Sequence, residues 1–386
     1  MATGSEPGIA SKNGRVIELD GLRALAIIPV VFSHCCPLSG WGRFGEAGWM
    51  GVDLFFVLSG YLISGILLNT VGTRYYYRNF IVRRTLRIFP LYYLCLVLFT
   101  VATRLTPSQW DALREWGGVG WFFAYLGNVR LAWTGMMPPV FSFDPLWSLQ
   151  VEEQFYLLYP IVVLLLSGLH LRRFLVGCVV AAPVLRLFLL LFVPGSGMAR
   201  YVMMPCRMDS LALGGLVAIL MRSPRTNTLT ITRVRTGLLL AVAAVLLCAV
   251  ISLGSLTPVM STVGYTAVDI TSALLLIMVV RWPNDRAVKW LRLWPLVYTG
   301  QIAYGLYLLH GPASWVARTI IGRLTGLTIE GHSLLSIPIT FISAFTAAGL
   351  SWKFFESRIL RMKDKLTRVD QAPSQFAAGK LNAVVQ

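Results

Sequence analysis

Arg23, His34, Asp53, Arg84, Arg87, Glu152, Glu153, Arg207, Asp209 and His310 all stand inside or at the edge of apolar runs. A charge at the centre of a membrane helix costs about 2.5 to 3.5 kcal/mol on insertion scales, so such residues face a protein interior, pair with one another, or serve chemistry. His34 is the best candidate for a catalytic base. A neutral imidazole, with an ordinary pKa near 6.5, can take a proton from a hydroxyl as that hydroxyl attacks an acyl carbon. No Ser, Cys or Lys arrangement competes; the adjacent Cys35 points about 100° away on a helix and lacks an activating pattern. Direct attack and an acyl-histidine intermediate are both chemically open.

Guanidinium suits phosphate through paired hydrogen bonds, and Arg84 and Arg87, three residues apart, share a helical face that could grip a diphosphate. Ordinary anchoring by positive charge explains the same arginines. Arg23 could meet an anion or pair with Asp20. Arg207 and Asp209 could form an internal ion pair or hold an acceptor. His310 reads more readily as a hydrogen-bonded structural residue than as a second base. Tyr156 could stack on a sugar ring or belong to an interfacial aromatic belt, as could Trp147.

These residues need elements to position them, and composition says which kind. Of 386 residues 56% are hydrophobic and 13% charged, and the mean hydropathy is +0.67. That is too apolar for a soluble domain of this size, and the expectation is an all-α polytopic membrane protein. The net charge of +17 raises nucleic acid as a partner, but the Lys and Arg residues cluster between apolar runs instead of on one face. Six cysteines lie mostly in apolar runs without C-x-x-C spacing and read as small buried residues. No metal site is expected. The first run contains Pro29 and His34 and lacks a convincing cleavage site, so a permanent helix is expected there.

About ten spans in one bundle are expected, near residues 19–38, 49–69, 87–103, 147–168, 174–193, 205–221, 237–255, 263–280, 296–312 and 333–352, lengths that fit a hydrocarbon core of about 30 Å. Residues 120–133 form one further short apolar run carrying Arg130. If that run lies in the interface, the basic loops 70–86, 169–173, 222–236 and 281–292 all fall on the cytoplasmic side, together with both termini. A disordered tail over 1–17, a membrane domain over 18–358 and a basic tail over 359–386 complete the expected layout, with no repeat of fixed period. Helix rise then puts His34, Asp53, Glu152, Glu153, Arg207, Asp209 and His310 in the outer halves of their spans, and the arginines of 83–87 on the inner side. By depth, His34 and Glu152 or Glu153 are near enough to meet.

DGLRALA, the ten residues separating Arg23 from His34, and GVDLFFVLSGYLI resemble the amino-terminal signature of the acyltransferase-3 family of membrane acyltransferases. The resemblance continues in order through FIVRRTLRIFPLYYL (80–94), PLWSLQVEEQFYLLYP (145–160), CRMDSLALGG (206–215) and YGLYLLHGP (304–312), and covers about residues 18 to 358. It implies an integral membrane O-acyltransferase that takes an acyl group, most often acetyl, from cytoplasmic acyl-CoA. The acceptor is a hydroxyl of an envelope glycan, lipid-linked sugar or exported small molecule. The resemblance makes His34 catalytic, matches Arg84 and Arg87 to the family's R-x-x-R, matches Arg23 to its arginine, and favours Glu153 over Glu152 as the partner that orients His34. The remaining polar residues, Asp53, Glu152, Tyr156, Arg207, Asp209 and His310, would hold the acceptor. Some members carry an SGNH-type hydrolase-like domain after the membrane core; the chain ends too soon for one, so a standalone form in the plasma (inner) membrane is expected. Acyl-CoA is expected as co-substrate, with no permanently bound cofactor and no nucleic acid. The rival class is a proton-coupled transporter or flippase, in which the buried charges carry protons and no covalent chemistry occurs.

Overall fold

In the computed structural model, residues 16–37, 40–140, 143–166, 168–251, 254–362 and 366–367 are described. Their regular elements are all helices, with no strand among them. The expected tails, 1–17 and 359–386, lie mostly outside these residues. Helices α1 (Ile17–Ser33), α2 (Met50–Thr70) and α3 (Tyr76–Arg104) come first. Three short helices follow, α4 (Pro107–Trp116), α5 (Gly120–Phe123) and α6 (Gly127–Thr134), and then α7 (Leu146–Leu165), α8 (Gly168–Phe192), α9 (Gly197–Val202), α10 (Met204–Leu220), α11 (Ile231–Ile251) and α12 (Tyr265–Arg281). The chain closes with α13 (Arg286–Lys289), α14 (Trp294–Gln301), α15 (Ala303–Thr325), α16 (Ser336–Ser351) and α17 (Ser357–Arg361).

Among the described residues, six stretches are long and apolar enough to cross a bilayer: Gly45–Thr70, Tyr76–Arg104, Gly168–Phe192, Gly197–Leu220, Ile231–Ile251 and Met260–Arg281. α8 and α11 leave most of their apolar residues uncovered by protein, as helices facing lipid do. α2, α10 and α12 are instead packed inside the bundle. The chain is a helical, multi-pass membrane protein.

α2 and α10 approach each other closely. A Cβ on Gly60 would lie 2.0 Å from the carbonyl oxygen of Leu211, and one on Gly214 would lie 2.1 Å from that of Val57. Only glycine fits at either crossing, so the glycine in FFVLSGYLISG serves helix contact, as small residues do between membrane helices.

Three boundaries differ from expectation. α3 begins at Tyr76 instead of 87: Arg78, Arg83 and Arg84 read as a loop by charge, but Arg is a good helix former and the helix simply continues past the apolar run. The stretch expected as a loop from 313 is helical to Thr325, where Gly326 ends α15 in the left-handed region at φ 74°. The span expected at 296–312 is two helices, broken at Ile302. Residues 120–133 form α5 and α6, and a helix of 8 residues rises only about 12 Å, too short to cross.

Candidate active site

His34 is the residue at which α1 ends. A helix terminus leaves carbonyls without intrahelical donors, and here the segment around the start of α16 supplies them. The Ser336 hydroxyl donates to the carbonyl of Cys35 at 2.6 Å, and His332 Nδ1 donates to that of Cys36 at 3.0 Å. The His34 ring is itself fixed: Nδ1 lies 2.7 Å from the carbonyl oxygen of Val30. A carbonyl only accepts, so Nδ1 carries the hydrogen and Nε2 carries the lone pair. The adjacent ring is that of His310, with centroids 4.8 Å apart. His310 is buried, donates from Nδ1 to the carbonyls of Leu306 and Tyr307 at 3.1 and 2.9 Å, and has no partner at Nε2.

His34 opens into a cavity of about 290 Å³ shared with Ser33, Glu46, Trp49, Asp144, Trp147 and Tyr201. A second cavity, about 430 Å³, lies at the other end of α1 and holds Arg23, Arg83, Arg84, Arg87, Glu152 and Tyr156 among its walls. Arg83 and Arg87 are exposed and Arg84 is half-buried. The Arg84 guanidinium lies 4.6 Å from the centre of the Tyr156 ring, which is attractive for a cation over an aromatic face, while its Nε is buried without a hydrogen-bond acceptor. Tyr156 is in turn hydrogen-bonded to Ser59. Arg23 pairs with Asp20 and also faces the cavity.

Val52 and Tyr307 belong to the walls of both cavities. Tyr307 is held by two hydrogen bonds, to the carbonyl of Pro145 at 2.8 Å and to the Ser148 hydroxyl at 2.6 Å. Burial with both contacts satisfied fixes this ring between the guanidiniums on one side and the imidazole on the other.

Residues 16–355 match a family described as an acyltransferase domain. The chain belongs to the acyltransferase-3 family. Among curated relatives, it is 28% identical over 360 residues to the peptidoglycan O-acetyltransferase OatA of Listeria monocytogenes, covering 89% of this chain and 56% of that protein. It is likewise 28% identical over 383 residues to the O-acetyltransferase OatA of Staphylococcus aureus, covering 93% of this chain and 60% of that one. The chain thus spans little more than half the length of these relatives. No solved structure matches it.

For this acyltransferase-3 chain the structure rearranges several expected contacts. Glu152, at the same depth as His34 by helix rise, faces the arginine cavity, with Tyr307 and Ser148 also on that wall. Glu153, the motif's favoured partner for His34, lines neither cavity; its Oε1 is buried without a donor. Tyr156 stands with the arginines and not with His34. Arg207 does not pair with Asp209. It pairs with Asp53 across the α2–α10 crossing, while Arg186 takes Asp209 through two hydrogen bonds of 3.1 and 2.8 Å. Residues two apart on a helix point in different directions, which separates Arg207 from Asp209. Asp53, Arg207 and Asp209 line neither cavity.

Sequence reasoning passed over Arg186, Asp144, Ser148 and Tyr307. Arg186 sits in VLRLFLLLF, and the rule that singled out Asp53 applies equally to it. Tyr307 carries no charge and gave no comparable signal.

Proposed function

We propose that this chain is a membrane O-acyltransferase that moves an acyl group, acetyl in the simplest case, from acyl-CoA to a hydroxyl of an envelope glycan or related sugar. The observation that carries this reading is the meeting of the two cavities at Val52 and Tyr307, guanidiniums lining one and His34 the other. We place the arginine cavity on the cytoplasmic side, in a bundle of about ten spans within the plasma membrane. Both ends of the chain face the cytoplasm.

Acyl-CoA is an anionic donor, and the four arginines fit it. The orphaned Nε of Arg84 and the exposed Arg83 and Arg87 supply charge-assisted donors for phosphate, and the apolar walls at Phe55, Phe56 and Ile88 suit a pantetheine arm. The thioester then lies toward Tyr307. His34 Nε2 takes the proton of the acceptor hydroxyl; the oxygen forms its bond to the acyl carbon as the carbon–sulfur bond breaks, and the proton passes to the departing thiolate. The relatives named as O-acetyltransferases support this chemistry.

A proton-coupled carrier is the second reading, favoured by one observation: Asp269 is buried with neither carboxyl oxygen hydrogen-bonded. Asp269 lines neither cavity, which counts against it as a station on a pathway. The deciding experiment measures release of free CoA thiol from acetyl-CoA by the protein in nanodiscs, wild type beside His34→Ala. Release that depends on His34 is expected. Release unaffected by the substitution would remove His34 from the chemistry, and an absence of both release and CoA binding would favour the carrier.

A further inference from the structure

We infer that the cavity at His34 is built for an uncharged sugar and that Asp144 anchors it, so that acceptors bearing carboxylate or phosphate are excluded. This rests on the transferase reading above and names the acceptor class for the same site.

Asp144 occupies the turn just before α7, and the next residue, Pro145, accepts the Tyr307 hydroxyl at 2.8 Å and the Ser148 hydroxyl at 3.3 Å. Asp144 is therefore tethered through its neighbour beside Tyr307, the ring common to both cavities, on the wall of the His34 cavity. Its Oδ1 is buried and makes no hydrogen bond, and among the described residues Asp144 has no ion-pair partner. A buried polar atom left unpaired costs about 1 to 3 kcal/mol, and a hydroxyl brought by a ligand would relieve that cost. The surrounding walls supply what a sugar ring needs besides hydroxyl contacts: the faces of Trp49, Trp147, Tyr201 and Tyr307, which offer flat apolar surface with polar edges.

Charge sets the class. Among the described residues on this wall, Asp144 and Glu46 are the two acids, and no Lys or Arg accompanies them. An acidic sugar would meet Glu46 and a carboxyl that burial holds in its neutral form, with no cation among the described lining residues to balance its own charge in a space where charges are poorly screened. The arginine cavity has the opposite balance, so the two cavities reject each other's ligands.

The test uses the full chain in nanodiscs and follows tryptophan fluorescence, since Trp49 and Trp147 line the cavity. The probes are chitotetraose as a neutral oligosaccharide and tetragalacturonate as an acidic one. Saturable binding of the neutral probe, at least tenfold tighter than the acidic one, is expected. Asp144→Ala is expected to weaken neutral binding tenfold or more, and Asp144→Asn, which keeps a donor and an acceptor, to recover most of it. No saturable binding of chitotetraose, equal binding of the two probes, or undiminished binding by Asp144→Ala would each overturn the inference. CoA release in the same preparations keeps the two readings apart: sugar binding with no turnover would count against the transferase alone.

Discussion

The imidazoles of His34 and His310 lie 4.8 Å apart, and each donates its Nδ1 hydrogen to backbone carbonyls one turn earlier in its own helix. The two rings share a tautomer, and although His310 lines neither cavity, a positive charge on one ring would oppose a positive charge on the other at this separation. His310 thus bears on the proton that His34 takes, by packing and by charge. His310→Gln is expected to lower kcat by about 10 to 100-fold while acyl-CoA binding stays within twofold, whereas His34→Ala removes general base catalysis altogether, a loss of about 100 to 10,000-fold. Steady-state kinetics on the two variants distinguishes them; equal losses would mean that His310 is a base in its own right.

Arg84 and Arg87 should act on the donor alone. Each charge-assisted hydrogen bond to phosphate contributes about 1.5 to 3 kcal/mol, so Arg84→Ala with Arg87→Ala is expected to raise the acyl-CoA KM at least 100-fold with little change in the acceptor KM. Isothermal titration with CoA reads the loss directly, and it should shrink as salt is raised, since guanidinium–phosphate attraction at exposed arginines is screened.

The Tyr307 ring is a partition. Tyr307→Ala should open the two cavities to each other and admit water to the thioester, raising CoA release in the absence of acceptor while transfer falls. Tyr307→Phe keeps the ring and loses only the bonds to Pro145 and Ser148, and should leave acceptor-free release near the wild-type level. A falling acceptor-free release in Tyr307→Ala would show that the ring does more than separate.

Arg186 and Asp209 form an ion pair in which both side chains have no exposure to solvent. Removing one partner strands the other, at a cost of about 3 to 5 kcal/mol. Arg186→Met and Asp209→Asn should each lower the detergent melting temperature by several degrees, and the double variant should melt above either single one. The double-mutant comparison needs no activity.

Burial raises the Asp144 carboxyl from its ordinary 3.8 to about 8. The protonated form is therefore the one the fold holds, and the stability it contributes is complete below about pH 4 and lost as the pH climbs to about 8, at on the order of 1 kcal/mol per pH unit. Asp144→Asn cannot ionise, so its melting temperature relative to wild type should rise between pH 5 and 8. A constant difference across that range would mean the carboxyl is ionised and solvated in the folded state.

Much of this was legible in the chain itself, for reasons of range. Apolar runs of about twenty residues declare themselves locally, and each expected span overlaps helix among the described residues, while six stretches are long and apolar enough to cross a bilayer. The polar residues inside those runs stood out by the same contrast, which led to His34 and to the arginines of α3. Partnership did not follow, because it depends on contacts far apart in sequence: Asp53 meets Arg207 across 154 positions, and depth along a helix says nothing of direction around it. That is why Glu152 turns to the arginines and Glu153 to neither cavity. Asp144 was passed over because it lies outside the spans, where an acid is ordinary and only the surrounding walls make it unusual.

Under the proposed function, with the two cavities opening to opposite faces of the bilayer, their contact at Val52 and Tyr307 would also set where an energised membrane drops its voltage. Water-filled spaces on either side would carry little of the field, so most of it would fall over the width of one valine and one tyrosine, where displacing an elementary charge involves about 2.3 kcal/mol per 100 mV. An acyl group would pass that gap uncharged, while the phosphates of its carrier would stay behind with the guanidiniums. Transfer by this route would then move no charge through the polarised membrane.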